Sequence, residues 1–548
     1  MSFKNVIFIC LFSLSTIYST SLLEQLGIDE RELTSFNSKD DLGLIAYINK
    51  KGLYKISSRP QLPEYILSTD GHFKIHYTTT GQDSVSIDDK DNNGIPDYID
   101  EVSRTAERAY RLLIDTLGFE PPPIDGVDGD EIDIYVRNLK GNYYGITWPE
   151  NAVTSTKREY DYTSYLEIDN DYSETAYNTK GIDALHVTIS HEFFHMVQLG
   201  YNWYQSNNVD QTNGDTFFLE WCSVWFEERA YPEANDYLNY LGQFFYFPYK
   251  SVWDNSYSYS LGIFLRYVFD LYGEKIIKEI WDKIGENKYA MDAFNEIMSG
   301  YNTNMAELWN GFFYKIYYSN NKYDPDRSLC ADAKFFPPLN YSFVGNFFNR
   351  DTICIGKRVN RYATLPVLLT FNDRCIIQIT DISKNFELTI FGYLIDRYLK
   401  DDIFGVIGNS RYFPLGWFGS HDTLAFFITN TSLDSSISVS FNALAIPEGV
   451  EISSEITKIY PNPLFTDDSR LSIELFSDNS YDKVSVNLFD ILGRKVYSRY
   501  IEKDIELGIN IIDIDISEFT KINLSSGVYI VHVKLGENNI YKKVTFLR

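Results

Sequence analysis

The chain has 548 residues, which is too long for one hydrophobic core and predicts three or four domains. Its formal net charge of −27 repels phosphate backbones, so the composition disfavours a nucleic-acid-binding protein. A hydrophobic fraction of 44% is enough for the chain to fold.

The N-terminus has the pattern of a secretory signal peptide. Lys4 supplies a positive charge, a mostly apolar run extends from Val6 to Leu14, and small residues follow to about Thr20. The run is too short for a transmembrane anchor, which needs about 20 apolar residues. No later segment is apolar enough to span a bilayer. We expect residues 1–20 to be the signal peptide and residues 21–67 to be an N-terminal extension or propeptide.

Residues 89–100 follow the D-x-[DN]-x-[DN]-G pattern of a calcium loop. The predicted ligands are side-chain oxygens and one main-chain carbonyl, from Asp89, Asp91, Asn93, Ile95, Asp97 and Asp100. The twelfth position is Asp where Glu is usual, so this carboxylate reaches less far. The alternative is an Asx-rich turn that caps the next helix. We favour calcium, in a structural role, because four crowded Asp residues repel one another without a cation.

Regular patterns predict helices and strands around this loop. Residues 72–77 alternate like a strand, and residues 101–117 form an amphipathic helix pattern closed by Gly118. Strands are predicted at 132–136 and 162–169, and long helical patterns follow from about 183 to 320. We expect the strand that ends at 169 to be the edge of the sheet, where an extended peptide could pair with it.

His191, Glu192 and His195 form an H-E-x-x-H motif within a helical pattern. Residues i and i+4 share one face of a helix, so both imidazoles can bind one metal ion. Glu192 lies about 100° further round the helix and can reach a metal-bound water rather than the metal. This geometry is typical of a zinc hydrolase. The alternative is a helix with two buried or solvated histidines.

A catalytic zinc site needs a third protein ligand. The metzincin pattern fails, because Gly and His are missing three and six residues after the second His. The other common ligand is a Glu on a following helix, and the helical pattern at 217–229 contains Glu220, Glu227 and Glu228. Glu220 follows His195 by 25 positions and shares a helix face with Glu227. Both could therefore point inward.

This arrangement resembles the gluzincin metallopeptidases, in which the ligand Glu lies near the start of a helix downstream of H-E-x-x-H. The segment Phe-Leu-Glu-Trp-Cys-Ser at 218–223 matches that placement. The resemblance implies that Glu220 is the third zinc ligand and that Glu227 is a second-shell or structural acid.

The same resemblance implies a donor for the oxyanion. The segment Tyr-Ser-Tyr-Ser-Leu-Gly at 257–262 is similar to the Tyr-x-x-Gly segment of gluzincins. Tyr259 is therefore the candidate catalytic donor, and Tyr257 is the second choice.

The Asp-rich loop and the H-E-F-F-H helix together resemble a group of secreted bacterial metalloproteases within the gluzincins. The resemblance covers about residues 70 to 325. It implies an α+β zincin-like metallopeptidase domain, which we place at residues 68–325.

The last part of the chain is predicted to be rich in strands. Short strand patterns between turn residues predict a β-rich domain at 326–452. Residues 456–548 have the pattern of a small Ig-like antiparallel β-sandwich. Its Tyr-Pro-Asn-Pro at 460, Leu-Gly-Arg at 492 and Ser-Gly-Val-Tyr at 526 resemble the C-terminal sorting domain of type IX secretion substrates.

Together these features predict a multidomain secreted or cell-surface protein. Its expected activity is that of a zinc-dependent endopeptidase which hydrolyses extracellular proteins by Glu-assisted attack of a zinc-bound water. The expected partners are a protein or peptide substrate and the type IX secretion machinery. Two alternatives remain, a catalytically inert adhesin or scaffold and a zinc hydrolase of non-peptide amides or esters.

Overall fold

The computed structural model describes residues 59–141, 143–153, 158–207 and 216–347 without a break. Beyond these it describes residues 352–371, 375–381, 388–395, 403–407, 412–418, 423–430, 436–445, 453–465, 470–477, 481–501, 505, 508–521 and 524–547. The predicted signal peptide and most of the predicted N-terminal extension lie outside these residues. The chain divides into two compact units, one up to Asn340 and one from Tyr341.

The first unit contains one five-stranded sheet. Its strands are β1 (Glu64–Leu67), β2 (Phe73–Tyr77), β3 (Ile132–Val136), β4 (Gly145–Ala152) and β5 (Tyr162–Ile168), in the order β1-β2-β3-β5-β4. The three inner strands run parallel, and both edge strands are antiparallel to their neighbours. The three strands predicted in this region are confirmed to within one residue. The sheet also includes β1, which lies in the range predicted as an N-terminal extension.

The prediction that the strand ending at residue 169 forms the sheet edge is wrong. β5 lies between β3 and β4, and all but its first residue are buried. The edge strand is β4, which Pro149 and several polar residues made difficult to recognise as a strand. β4 remains open to pairing on its outer side within the described part of the chain.

The rest of the first unit is mainly helical. The helices are α1 (Asp97–Tyr110), α2 (Gly181–Asn207), α3 (Thr216–Ala230), α4 (Gly242–Tyr246), α5 (Gly262–Tyr272), α6 (Ile276–Gly285), α7 (Ala290–Gly300) and α8 (Met305–Tyr317). Short 3-10 turns cover Asp236–Asn239, Asn255–Leu261, Asn320–Lys322 and Ala331–Phe335, and a π-helical turn, Arg111–Thr116, extends α1. α1 begins at Asp97, within the calcium-loop motif and earlier than the predicted residue 101. Gly118, with a φ of +83°, follows its end as predicted.

Helix α2 lies in the interior of the unit, because it is apolar on almost every side. Its residues from Ala184 to Asn202 are nearly all buried, a pattern that suits a helix covered all round. The helix packs on β4 and β5 and is also in contact with α1, α3 and α6. Phe193 contacts Phe73 of β2, and Phe194 contacts Phe226 of α3. These aromatic contacts fix the rotation of α2, and hence where its polar side chains point.

Arg59 attaches the start of the described chain to the sheet. Its guanidinium lies 2.5 Å from carboxylate oxygens of Asp125, Asp133 and Glu150, and packs on the ring of Tyr165. The guanidinium and the three carboxylates are nearly excluded from water, with side-chain exposures of 9% or less. One buried cation therefore compensates three buried anions.

The second unit begins with two sheets whose strands are mostly antiparallel. One contains β6 (Phe343–Phe347), β8 (Ala363–Phe371), β10 (Leu388–Ile395), β11 (Ile403–Ile407) and β13 (Thr423–Asn430), in the order β11-β10-β13-β8-β6. The other contains β7 (Thr352–Val359), β9 (Cys375–Asp381), β12 (Tyr412–Phe418) and β14 (Ile437–Ala445), in the order β12-β9-β14-β7. The strand-rich character predicted for this region is confirmed.

Two further sheets form the C-terminal region. β15 (Glu455–Tyr460), β17 (Arg470–Ser477) and β20 (Gly508–Asp515) make one sheet. β16 (Leu464–Phe465), β18 (Val484–Asp490), β19 (Lys495–Ile501), β21 (Gly527–Leu535) and β22 (Asn538–Leu547) make the other, and α9 (Ile516–Lys521) follows β20. Residues of both sheets form one hydrophobic core, which includes Ile473, Ile512, Val486 and Val531. This region therefore has a core of its own.

The Leu-Gly-Arg segment at 492–494 forms the turn between β18 and β19. Asp490 accepts hydrogen bonds at 2.9 Å from the main-chain N–H groups of Leu492 and Arg494, and pairs with the Arg494 guanidinium at 2.7 Å. The Arg494 N–H holds the pKa of Asp490 below its usual range. Gly493 has a φ of +79°, which favours glycine. The motif is therefore a turn sequence.

We expect Arg59→Met to destabilise the first unit by about 3–5 kcal/mol, because it leaves three buried carboxylates without their cation. Urea unfolding followed by tryptophan fluorescence measures this, since seven of the eight tryptophans lie between residues 148 and 309. The matched control is Arg111→Met, because Arg111 forms an exposed pair with Asp70 worth less than about 1 kcal/mol. Equal unfolding midpoints for the two variants would contradict the anchoring role of Arg59.

Candidate metal centre

The two histidines of the H-E-x-x-H motif lie on one buried face of α2. His191 is 3% exposed and His195 is fully buried. One helical turn separates them, and their Nε2 atoms lie 2.9 Å apart. The structure thus places both imidazoles as their spacing predicts.

Glu220 on α3 completes the group. Its Oε2 atom lies 3.2 Å from His191 Nε2 and 3.5 Å from His195 Nε2. This oxygen is buried and accepts no hydrogen bond from the described residues. Among the Glu residues of α3, Glu220 is the one whose carboxylate meets both rings at Nε2.

Two side chains contact the Nδ1 atoms of the two imidazoles. Glu227 Oε1 lies 2.5 Å from His191 Nδ1, and Gln198 Oε1 lies 2.7 Å from His195 Nδ1. Gln198 Nε2 donates to the carbonyl of Leu219 at 3.1 Å, which fixes which end of the amide faces the ring. Both contacts suit a ring that carries its proton on Nδ1, and in that neutral tautomer each Nε2 presents a lone pair to the centre. Sequence reasoning missed Gln198, although its position three residues after His195 was a local signal.

The donor set fits a tetrahedral zinc ion. Bonds of 2.0–2.1 Å at tetrahedral angles place ligand atoms roughly 3.3–3.4 Å apart. The three separations in the structure are 2.9, 3.2 and 3.5 Å. When both Nε2 atoms are unprotonated, these three lone-pair atoms repel one another, and a cation between them would remove that repulsion. Two imidazoles and one carboxylate leave a fourth position for water, as in catalytic zinc sites.

Glu192 lies beside this group on the side of the sheet edge. Its side chain is 2% exposed. Thr147 of β4 donates a hydrogen bond through Oγ1 to Glu192 Oε2 at 2.7 Å. Thr147 Oγ1 also lies 2.9 Å from the main-chain carbonyl oxygen of Glu192. Thr147 is the second residue that sequence reasoning missed, because only the folded sheet brings it to α2.

The two tyrosines considered as oxyanion donors have different surroundings. The Tyr259 ring is buried and stacks at 6.0 Å from the His191 ring. The Tyr257 hydroxyl instead accepts from the Lys250 N–H at 3.1 Å and donates to the Phe247 carbonyl, so it holds a loop. The structure therefore favours the first choice of donor over the second.

The Asp-rich loop brings together part of its predicted ligand set. Carboxylate oxygens of Asp89, Asp91 and Asp97 lie within 4.8 Å of one another. Asp100 does not join them, because its Oδ2 accepts a hydrogen bond from the Asn93 amide at 2.9 Å. Asn93 Oδ1 accepts the Ile95 N–H at 2.7 Å. These hydrogen bonds are typical of an Asx-rich turn, whereas the three grouped carboxylates are typical of a cation site.

A separate cavity of about 180 Å³ borders α3 on another side. Its polar walls include Glu228, Arg266, Asp270 and Glu274. Burial raises the pKa of Glu228 to about 8, although the Arg266 guanidinium at 3.5 Å opposes this. Glu228 does not face the histidines, so it is not a third-ligand candidate.

We expect the raised pKa of Glu228 to make the stability of the first unit depend on pH. Its folded pKa lies above the ordinary value of 4.5, so its stabilisation is complete below about pH 4.5 and is lost as pH rises towards 8. The slope for one proton is at most about 1.4 kcal/mol per pH unit. The charged groups that act on Glu228 are Arg266, Asp332, Glu227 and Glu233.

Urea unfolding at pH 5 and pH 8 measures this dependence. Glu228→Gln should match the unchanged protein at pH 5 and exceed its stability at pH 8, since an amide cannot ionise. Glu286→Gln, at an exposed carboxyl, is the control. A constant difference between Glu228→Gln and the unchanged protein at both pH values would contradict the shift.

Two family models match the chain. A family of unknown function, DUF6055, matches residues 72–326, a range that includes all the candidate zinc ligands. A secretion system C-terminal sorting domain matches residues 458–546. The chain is therefore a type IX secretion substrate that reaches the cell surface or the extracellular space. None of the helices in the described part of the chain combines the length and apolar character of a membrane span.

Comparison with characterised proteins adds little. No curated protein matches the chain. Among solved structures, a β-glucuronidase of Parabacteroides merdae is 13% identical, with 34% of this chain and 28% of that chain covered and a TM-score of 0.16. The adhesin domain of Epf from Streptococcus pyogenes is 14% identical, with 35% and 76% covered and a TM-score of 0.13. TM-scores of this size carry no argument about fold or activity, and the chain spans about a quarter of the β-glucuronidase.

Proposed function

We propose that this chain is a secreted zinc-dependent endopeptidase with a zincin-like α+β domain. In this proposal His191, His195 and Glu220 hold the zinc ion, and Glu192 is the catalytic base. The observation that carries the proposal is the convergence of two imidazole Nε2 atoms and one carboxylate oxygen within 3.5 Å of one another in a buried place. A zinc ion bound between these three atoms would remove the repulsion among their lone pairs.

The residues around the centre have distinct tasks. A bound zinc ion would supply Lewis acidity, which polarises a carbonyl and lowers the pKa of water. Glu192 accepts the proton of the attacking water and passes it to the leaving nitrogen as the peptide bond breaks. Tyr259 is the proposed donor to the oxyanion. Glu227 and Gln198 keep the Nδ1 protons in place, so that both Nε2 atoms stay available.

The sheet edge supports a peptide substrate. β4 ends the sheet, so its outer main-chain groups can pair with an extended chain. Thr147 of this strand also contacts Glu192, so a peptide paired with β4 would lie beside the base. This placement favours peptide bonds over small amides or esters as the substrate. It also favours an active enzyme over an inert adhesin, because a scaffold needs no base at this position.

We expect the purified protein to contain about one zinc ion per chain. Glu192→Gln should keep the metal and reduce cleavage of an unfolded protein at least about 100-fold, because the amide cannot accept the proton. His191→Ala should lose both metal and cleavage. Metal content by mass spectrometry and cleavage of unfolded casein, with and without a chelator, measure these effects.

The matched control is Glu279→Gln, at an acid that contacts Tyr301 on the surface. It should change neither property. Full cleavage by the Glu192→Gln variant after chelation would end the peptidase proposal. Zinc binding without cleavage of proteins, but with hydrolysis of small esters or amides, would support the non-peptide alternative.

We also propose that the Asp-rich loop binds calcium, with Asp89, Asp91 and Asp97 as its carboxylate ligands. Calcium should raise the melting temperature of the first unit, because it binds only the folded loop and stabilises by about 2.7 kcal/mol at 100 times Kd. Asp89→Asn should remove this increase, whereas Asp70→Asn, at an exposed residue outside the loop, should keep it. Equal melting temperatures with and without calcium would show that the loop is only a helix-capping turn.

A further inference from the structure

The contact between Thr147 and Glu192 joins the sheet edge to the proposed base. Thr147 is 1% exposed and belongs to β4, and Glu192 belongs to α2. The Thr147 hydroxyl oxygen lies 2.7 Å from the carboxylate Oε2 and 2.9 Å from the main-chain oxygen of the same residue. Both distances are those of good hydrogen bonds between oxygen atoms.

The hydroxyl has one proton and two acceptors within reach. A threonine hydroxyl donates one hydrogen bond and can accept others. A charged carboxylate is the stronger acceptor, so the proton faces Oε2 while Glu192 is ionised. When the carboxyl carries a proton, it becomes a donor, and the hydroxyl can accept from it while it donates to the carbonyl. The same two residues therefore remain hydrogen-bonded in both states.

The backbone near Thr147 leaves no space for the base to move towards the strand. Gly145 lies two positions earlier on β4, on the same face. A Cβ at Gly145 would lie 2.9 Å from Glu192 Cγ and 2.6 Å from Thr188 Cγ2. The strand thus packs directly on the Glu192 side chain, and Thr147 supplies the polar contact at its end.

We propose that Thr147 is a positioning residue for Glu192, because its hydroxyl holds the carboxylate in the place from which it would meet the attacking water. This inference rests on the proposed endopeptidase function. In the cycle, the proton passes from water to Glu192 and then to the leaving nitrogen, so Thr147 gains and loses none. Since β4 is also the strand offered to the substrate, one element sets the position of both base and peptide.

The test compares two variants of Thr147 in the full-length protein. Thr147→Val keeps the shape and removes the hydroxyl, and Thr147→Ser keeps the hydroxyl. Thr147→Val should lower kcat about 10- to 100-fold, because a misplaced base loses part of its contribution to the rate. KM and zinc content should stay within about twofold of the unchanged protein. Thr147→Ser should restore kcat to within about threefold of the unchanged protein.

Thr163→Val is the matched control. Thr163 is a buried threonine on β5 whose hydroxyl accepts from the Asn151 N–H at 3.2 Å and does not contact Glu192. It should keep kcat. A merely structural role for Thr147 would lower the melting temperature and zinc content of Thr147→Val, and that result would overturn the proposal.

Two outcomes separate this inference from the proposed function. If Glu192→Gln abolishes cleavage but Thr147→Val keeps full kcat, the positioning role is wrong and the peptidase proposal stands. If Glu192→Gln itself keeps cleavage, the proposed function fails first, and the inference fails with it.

Discussion

The structure of the centre depends on one electrostatic constraint. Two imidazole Nε2 atoms and one carboxylate oxygen meet within 3.5 Å of one another, in a part of the unit nearly free of water. Their outer partners favour the tautomer whose Nε2 lone pairs point inward, because Glu227 and Gln198 each accept a hydrogen bond from an Nδ1–H. Such a group is costly to bury without a cation. The proposed zinc ion between α2 and α3 would offset that cost.

Other buried carboxylates of the first unit show how this acidic chain usually compensates charge. Asp133 pairs with Arg59 and lies 2.6 Å from His76 Nε2. Glu107 accepts from Ser68 and lies 2.7 Å from His72 Nδ1. Each of these acids has a donor aimed at it. Glu220 differs, because its buried Oε2 accepts no hydrogen bond from the described residues and faces two imidazole nitrogen atoms. That contrast supports a functional rather than a structural role for its carboxylate.

Sequence patterns predicted the parts of the centre that are local along the chain. The i, i+4 histidines need only a helix, and the first-unit strands β2, β3 and β5 have clear apolar patterns. The choice of Glu220 over Glu227 needed a family resemblance, because both residues share one helix face. Thr147 was out of reach, since it precedes Glu192 by 45 positions and its approach depends on how β4 pairs with β5. The edge was assigned to the wrong strand for the same reason.

The proposed metal centre and the sorting domain are built from different residues. The residues of the proposed zinc centre, together with Thr147, all lie between residues 147 and 259, in the first unit. The sorting domain is stabilised by a core drawn from residues 456–546, such as Ile473 and Val531, and its Leu-Gly-Arg turn is closed by Asp490. A separate core allows a region to keep its structure without support from the rest of the chain. The sorting domain thus has a hydrophobic core that is separate from the residues of the proposed metal centre.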